Sequence, residues 1–154
     1  MTEKLDKTII KTTKELFKLL DFGDCKITVE EKAGTFQIQV EAQDSALLIG
    51  HHGENISALQ IILGLIIYHK IGSWQKINLN INNWREIREE FLKKMALNLA
   101  QKAKFSGKPV EVANLSASDR RIIHLYLADH PDVVSYSEGE GKTRHLIVKP
   151  KDKA

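Results

Sequence analysis

The chain has 154 residues, of which 42% are hydrophobic and 28% charged, enough apolar content for one domain or two small ones and too much for general disorder. Its longest apolar run, residues 61–68, is much shorter than the roughly 18 residues of a membrane span, and the N-terminus lacks the pattern of a secretion signal. The single cysteine, Cys25, excludes an intrachain disulfide and a cysteine-based zinc site. We therefore expect a cytoplasmic protein that needs no cofactor and no metal.

The charge of the chain is unevenly distributed. The net charge is +3, yet residues 1–83 hold 9 Lys and no Arg against 10 acidic residues, so they carry −1 and residues 84–154 carry +4. All five arginines lie in the second half: Arg85, Arg88, Arg120, Arg121 and Arg144. This asymmetry indicates two modules and a polyanionic partner.

The first half alternates between helical and strand patterns. Apolar residues at helical spacing over 3–20, followed by Gly23, predict a helix. Two alternating runs, 26–31 and 35–41, predict a β-hairpin. A short helix capped by Asp44, a glycine loop, an apolar helix of about five turns from Glu54 and a strand at 76–81 follow. The order α-β-β-α-α-β predicts a small sheet with helices on one face.

The second half has its own helix and strand signals. A helix begins at residue 84, and we predict that its apolar face consists of Trp84, Ile87, Phe91, Met95 and Leu99. Strands at 110–113, 133–136 and 145–148 and a helix capped by Ser116 or Ser118 complete the order α-β-α-β-β. The predicted fold class is α+β, sandwich-like, with modules at residues 1–83 and 84–150 joined by a helix.

The stretch "ALLIGHHGENISALQ" places Gly50 and Gly53 three positions apart between two helices. Glycines allow a sharp turn and a close approach of ligand to backbone, and the helix that starts at Glu54 directs its N–H groups toward an anion such as phosphate. A lone G-x-x-G is more often a plain helix connection. Its position after a hairpin and before a third strand resembles the bacterial (type II) KH domain.

The KH resemblance implies that the loop clamps the backbone of about four nucleotides, with the bases in an apolar groove. By position, the phosphate-binding residues are Gly50, His51, His52 and Gly53, and the groove walls are Ile49 and Ile56. KH loops commonly carry Lys or Arg between the glycines, whereas histidines are mostly neutral near pH 7, so we expect a weaker and pH-sensitive attraction. The alternatives are idle, exposed histidines or, less favoured, a metal site.

In "SASDRRIIHLYLADH", Arg120 and His124 lie four apart on one helix face, with Arg121 adjacent, and we predict that both are exposed. The spacing alone is equally typical of a solvated helix face. A helix with Arg-x-x-x-His after one strand and before two others resembles the R-3-H domain, which is associated with single-stranded nucleic acids. The resemblance implies that Arg120 and His124 contact nucleic acid, with additional contacts from Arg121 and Arg144.

The two domains in this order resemble the bacterial Jag/KhpB family, many members of which carry a further N-terminal domain that we expect to be absent here. The resemblance implies binding of single-stranded RNA, post-transcriptional regulation or RNA chaperoning linked to cell growth and division, and a smaller KH-domain protein as partner. Two alternatives remain: a protein-interaction scaffold and a binder of single-stranded DNA. The stretch "EGEGKT" is similar to the end of a phosphate-binding P-loop, but Tyr136 replaces the first glycine and a strand follows, so nucleotide hydrolysis is rejected. No paired carboxylates, Ser-His-Asp set or Cys-His pair stands out in the sequence, and we expect no enzyme.

Overall fold

The computed structural model describes residues 2–151, with side chains from residue 4 onward. The chain divides into two compact units, the first ending at Arg85 and the second beginning at Glu86. Each unit has its own three-stranded sheet and its own hydrophobic core. Within the described part of the chain, none of the helices has the length and apolar character needed to cross a membrane.

The first unit has the predicted order of elements, α-β-β-α-α-β. The elements are α1 (Thr2–Leu19), β1 (Lys26–Lys32), β2 (Thr35–Glu41), α2 (Ser45–Ile49), α3 (Glu54–Ile71) and β3 (Ile77–Ile81). A 3-10 turn at His51–Gly53 joins α2 to α3. Asp44 occupies the N-cap position of α2, as predicted, but its side chain makes no capping hydrogen bond.

The sheet of the first unit has the order β1-β2-β3. Strand β1 is antiparallel to β2, with Ile27 opposite Val40, and β2 is parallel to β3, with Ile38 opposite Leu79. The alternation in "TFQIQVE" buries Phe36, Ile38 and Val40 on one face, and α1 and α3 contribute the rest of the core. The helices therefore cover one face of the sheet, as the alternating pattern predicts.

The second unit contains a three-stranded antiparallel sheet and two helices. Its elements are α4 (Trp84–Ser106, whose first two residues belong to the first unit), β4 (Val110–Val112), α5 (Ala117–Leu127), β5 (Val133–Glu138) and β6 (His145–Pro150). The sheet order is β4-β6-β5, and the central strand buries Leu146 and Val148. The mixed helix and strand class predicted for both units is confirmed.

The apolar face predicted for α4 is partly wrong. Ile87 and Phe91 are 64% and 51% exposed, and the buried residues are Leu92, Ala96, Leu99, Ala100 and Ala103. Both sets recur at helical spacing, and the prediction favoured the larger side chains. Alanine lets a helix approach its neighbour closely, so a stripe of Leu and Ala forms the buried face here.

Candidate nucleic-acid interface

The glycine loop, residues 50–53, has a backbone that only glycine adopts easily at its first position. Gly50 has φ 69° and ψ −178°, a region that is essentially restricted to glycine. A β-carbon at Gly50 would lie 2.5 Å from Asn55 Cγ. Asn55 is held there because its Nδ2 donates a hydrogen bond of 2.6 Å to the carbonyl of Leu47. Both the backbone conformation at Gly50 and the position of the Asn55 side chain therefore require glycine here.

The other end of the glycine loop is equally constrained. Gly53 has a left-handed backbone, with φ 81° and ψ 16°, and a β-carbon there would lie 2.9 Å from Trp84 Nε1. Trp84, the first residue of α4, packs against the core of the first unit. The loop is therefore packed between α3 and an indole ring. The N–H group of Gly50 donates to the carbonyl of Ala46 at 3.0 Å and that of Gly53 to the carbonyl of Gly50 at 3.4 Å, so these two donors are used within the domain.

The two histidines of the glycine loop stack on each other. Their ring centroids are 3.9 Å apart and the ring planes differ by 20°. His51 is exposed, whereas His52 is half-buried and has a left-handed backbone, with φ 52°. Both precede the N-terminus of the 18-residue helix α3, where the helix dipole favours an anion. The exposed carboxylate of Glu54 in the first turn opposes that attraction.

The two residues predicted to form the groove walls beside the glycine loop differ in solvent exposure. Ile49 is half-buried at the end of α2, but Ile56 is only 2% exposed and belongs to the core, so it offers no wall to a ligand. Ile56 lies on the side of α3 that faces the sheet. Leu47, which the sequence reasoning missed, is 72% exposed on α2. Its carbonyl holds Asn55, so an exposed apolar side chain lies next to the loop.

In the second unit, a buried ion pair fixes the start of α5. Ser116 caps the helix, since its Oγ accepts a hydrogen bond of 3.1 Å from the N–H of Asp119. Arg88 Nη2 donates to Asp119 Oδ2 at 2.8 Å, and the two side chains are 15% and 6% exposed. Helix α5 is therefore held to α4 at the turn that carries Arg120. One of the two predicted caps, Ser116, is confirmed.

The side chains of Arg120 and His124 lie together on α5, but the prediction that both are exposed is wrong. Both are half-buried. Arg120 Nη1 donates a hydrogen bond of 2.7 Å to the carbonyl of Leu115. His124 Nδ1 lies 2.9 Å from Ser135 Oγ and its Nε2 lies 2.8 Å from Ser137 Oγ, both on β5. The helix packs against β5, and this covers the face that spacing alone placed in solvent.

The surroundings of His124 favour the neutral form of its imidazole. Burial, and then the positive charges of Arg120 and Arg144, lower its pKa from the ordinary value of 6.5. A neutral imidazole has one donor and one acceptor nitrogen, so one serine donates to the ring and the other accepts from it. The hydrogen-bonding capacity of the ring is used within the protein. The geometry makes His124 a link between α5 and β5.

A shallow groove lies beside these two residues, with a volume of about 460 Å³. Its lining residues are Ala117, Arg120, Arg121, His124, Leu125, Ser137 and Arg144. Arg121 and Arg144 are exposed, and neither lies within 4 Å of a carboxylate among the described side chains. We call this the α5 groove. It presents two guanidinium groups without a carboxylate partner to the solvent, which suits a phosphate.

The serines of β5 were the functional residues that sequence reasoning missed. Ser135 and Ser137 are two apart in "VVSYSE", so they share one face of the strand. The alternation alone could not identify the two serines as partners of His124, because the sequence does not show that β5 packs against α5. Across the described residues, no group of three or more His, Cys, Asp or Glu side chains could hold a metal ion.

Comparison with known families assigns both units. Residues 7–81 match the KH domain of the KhpA/KhpB family, and residues 90–150 match the R-3-H domain. The chain belongs to the family of KhpB-like KH–R-3-H proteins. The predicted resemblance is therefore confirmed, and the glycine loop lies in the KH domain and the α5 groove in the R-3-H domain.

Curated relatives agree with this assignment. The chain is 30% identical over 131 residues to the RNA-binding protein KhpB of Bacillus subtilis, covering 84% of this chain and 63% of that one. It is 28% identical over 147 residues to the RNA-binding protein KhpB of Clostridium symbiosum, covering 95% of this chain and 66% of that one. The chain thus spans slightly less than two thirds of the length of these two relatives.

Proposed function

We propose that the chain is a non-enzymatic, cytoplasmic protein that binds single-stranded RNA through both of its domains, with bounds at residues 1–83 and 84–150. The observation that carries the proposal is the presence, on one chain, of a KH glycine loop and an R-3-H groove lined by arginines. The name "RNA-binding protein" given to relatives in two organisms supports RNA over DNA.

In the KH domain, Gly50, His51, His52 and Gly53 contact the phosphate backbone. The N–H groups of Gly50 and Gly53 donate to carbonyls within the domain, so the donors proposed for phosphate are the N–H groups of His51 and His52, next to the N-terminal end of α3. Ile49 and the exposed Leu47 provide apolar surface for a base next to the loop. The loop contributes no lysine or arginine, so its affinity depends on backbone donors.

In the R-3-H domain, Arg121 and Arg144 make the direct phosphate contacts, and Arg120 adds its remaining guanidinium nitrogens. His124 positions β5 against α5. Two weak sites on one chain reinforce each other, because binding at the first makes binding at the second intramolecular.

The test is the salt dependence of RNA affinity. Removing one phosphate contact to a single strand lowers the slope of log K against log salt by about 0.7, so the double variant Arg121→Ala with Arg144→Ala lowers it by about 1.4. The matched control, Lys94→Ala with Lys102→Ala, removes the same charge from exposed positions of α4 and keeps its slope. Equal slopes for both variants and the wild type would contradict the assigned R-3-H site.

A second function, protein docking, is favoured by one specific observation. Helix α3 presents an apolar outer face next to an aromatic pair, Tyr68 and Trp74, whose ring centroids are 6.1 Å apart. The exposed members are Ile61 at 63%, Ile62 at 46%, Leu65 at 54%, Tyr68 at 48% and Trp74 at 61%. Contiguous apolar surface of this kind marks an interaction site.

The partner proposed for the α3 face is the smaller KH-domain protein that the family resemblance suggests, and the complex acts in post-transcriptional regulation linked to growth and division. Ile61→Glu with Leu65→Glu would abolish a complex detected by analytical ultracentrifugation. The control is the pair Lys26→Glu and Lys32→Glu on β1 of the same domain. Persistence of the complex in the α3 variant would exclude this face.

A further inference from the structure

Helix α1 carries a straight row of lysines on its solvent side. Lys7, Lys11, Lys14 and Lys18 are all exposed, and at about 100° per residue they fall within roughly 60° of one another around the helix axis. The buried residues Ile9, Thr12 and Thr13 lie on the opposite side of α1, and the buried Phe17 lies at the flank of the row. From Lys7 to Lys18 the row covers eleven helical rises, or about 16 Å at 1.5 Å per rise.

No carboxylate among the described side chains forms an ion pair with these four lysines. Among the described side chains, none of the four lies within 4 Å of a carboxylate, whereas Lys26, Lys32 and Lys70 each do. Glu15, an acid on the same helix, is engaged by Lys70 at 2.6 Å. That hydrogen bond lowers the pKa of Glu15, with a smaller contribution from Lys11, so the carboxylate remains ionised and paired.

Grooves run along both sides of the row. One has a volume of about 660 Å³ and an apolar floor that includes Ile10, Phe17 and Ile27, with Asp24 and Cys25 at its edge. The other has a volume of about 360 Å³ and is lined by Lys4, Lys7, Lys11 and Lys70. Glu15, which is paired with Lys70, lines both grooves. The row is thus a cationic ridge with space beside it, whereas the glycine loop has only histidines next to Glu54.

We propose that the lysine row of α1 is a second RNA-backbone site of the KH domain, which holds several successive phosphates of a strand. The inference rests on the proposed RNA binding and extends it to a surface outside the glycine loop. A linear row of charges suits a linear polyanion, and lysine binds phosphate as a point charge. At about 3.4 Å per stacked nucleotide, the row spans roughly five nucleotides. RNA bound elsewhere on the chain raises its own local concentration at α1.

The experiment measures the affinity of the full chain for a short oligouridine between about 50 mM and about 200 mM salt. Lys7→Gln with Lys14→Gln lowers the salt slope by about 1.4, and the quadruple variant that adds Lys11→Gln and Lys18→Gln lowers it by about 2.8. Glutamine has nearly the helix propensity of lysine, so both variants keep α1 folded, as circular dichroism checks. The corresponding Lys→Arg variants keep the wild-type slope.

The control pair, Lys26→Gln with Lys32→Gln, removes the same charge from β1 and leaves the slope unchanged. A wild-type slope in the α1 variants, or an equal loss in the control, overturns the inference while the proposed function stands. Absence of salt-dependent RNA binding by the wild type contradicts both together. In a further arm, a labelled oligoglutamate replaces the RNA. If the α1 variants lose affinity for oligoglutamate but keep the wild-type affinity for RNA, the lysine row binds an acidic peptide and the inference is also overturned.

Discussion

The role of His124 can be separated from RNA contact by the variant His124→Ala. The change removes two hydrogen bonds, of 2.9 Å to Ser135 and 2.8 Å to Ser137. At about 0.5–1.5 kcal/mol net for each bond, the R-3-H domain loses about 1–3 kcal/mol of its free energy of unfolding. Because the site is half-buried and water can replace part of the imidazole, we expect the lower half of that range.

Urea unfolding followed by NMR amide signals of β5 and β6 measures this loss in the R-3-H domain separately from the KH domain. The control is Leu125→Ala on the same helix, where the side chain is 67% exposed and a change below about 0.5 kcal/mol is expected. If His124→Ala is as stable as the control but loses RNA affinity tenfold, His124 is an RNA contact and the positioning role is refuted.

The loss of stability caused by His124→Ala should depend on pH. The pKa of His124 in the folded domain is lowered, chiefly by burial, so the unfolded chain takes up the proton first as the pH falls. The contribution of the neutral ring is therefore complete above about pH 6.5 and is lost as the pH falls through the lower folded pKa. The difference in stability between wild type and His124→Ala narrows from about pH 8 to about pH 5. A constant difference would show that His124 does not titrate in this way.

Three further predictions concern the glycine loop and the base of α5. Gly50→Ala places a β-carbon 2.5 Å from Asn55 Cγ in a backbone conformation that favours glycine. Urea unfolding should show that the KH domain loses about 1–3 kcal/mol of its free energy of unfolding. An unchanged urea midpoint would show that the substitution causes no strain. His51→Asp with His52→Asp puts negative charge at the proposed phosphate site, and RNA affinity should fall at least tenfold, about 1.4 kcal/mol. An unchanged RNA affinity would exclude the glycine loop as an RNA contact. Asp119→Ala removes the carboxylate that Arg88 contacts and should cost the R-3-H domain about 3–5 kcal/mol by NMR-detected unfolding, whereas a small loss would mean that the pair is solvated.

Much of the KH fold could be predicted because its signals are local. The alternation in "TFQIQVE" alone defines which face of β2 is buried, and glycines that flank two histidines between two helices define the loop. The sequence could not reveal why those glycines are needed. Gly50 is constrained by Asn55 and Gly53 by Trp84, and the second contact joins residues 31 positions apart in the chain.

The R-3-H site was predicted less completely, for a physical reason. Helical spacing places Arg120 and His124 on one face of α5, but it does not say what packs on that face. Strand β5 covers it with Ser135 and Ser137, so His124, which was predicted to be exposed, is a half-buried ring that bonds to both serines. The buried face of α4 was predicted wrongly for a related reason. Alanines contribute little to a hydrophobic pattern, yet Ala96, Ala100 and Ala103 lie on the buried face of α4.

The most direct test of RNA binding is fluorescence anisotropy of the intact chain with a single-stranded RNA and the DNA of matching sequence, at two salt concentrations. Our account predicts that affinity falls steeply with salt, because phosphate contacts release counterions, and that RNA binds more tightly than DNA. No binding to either strand at low salt would contradict the account and leave protein docking through α3 as the function.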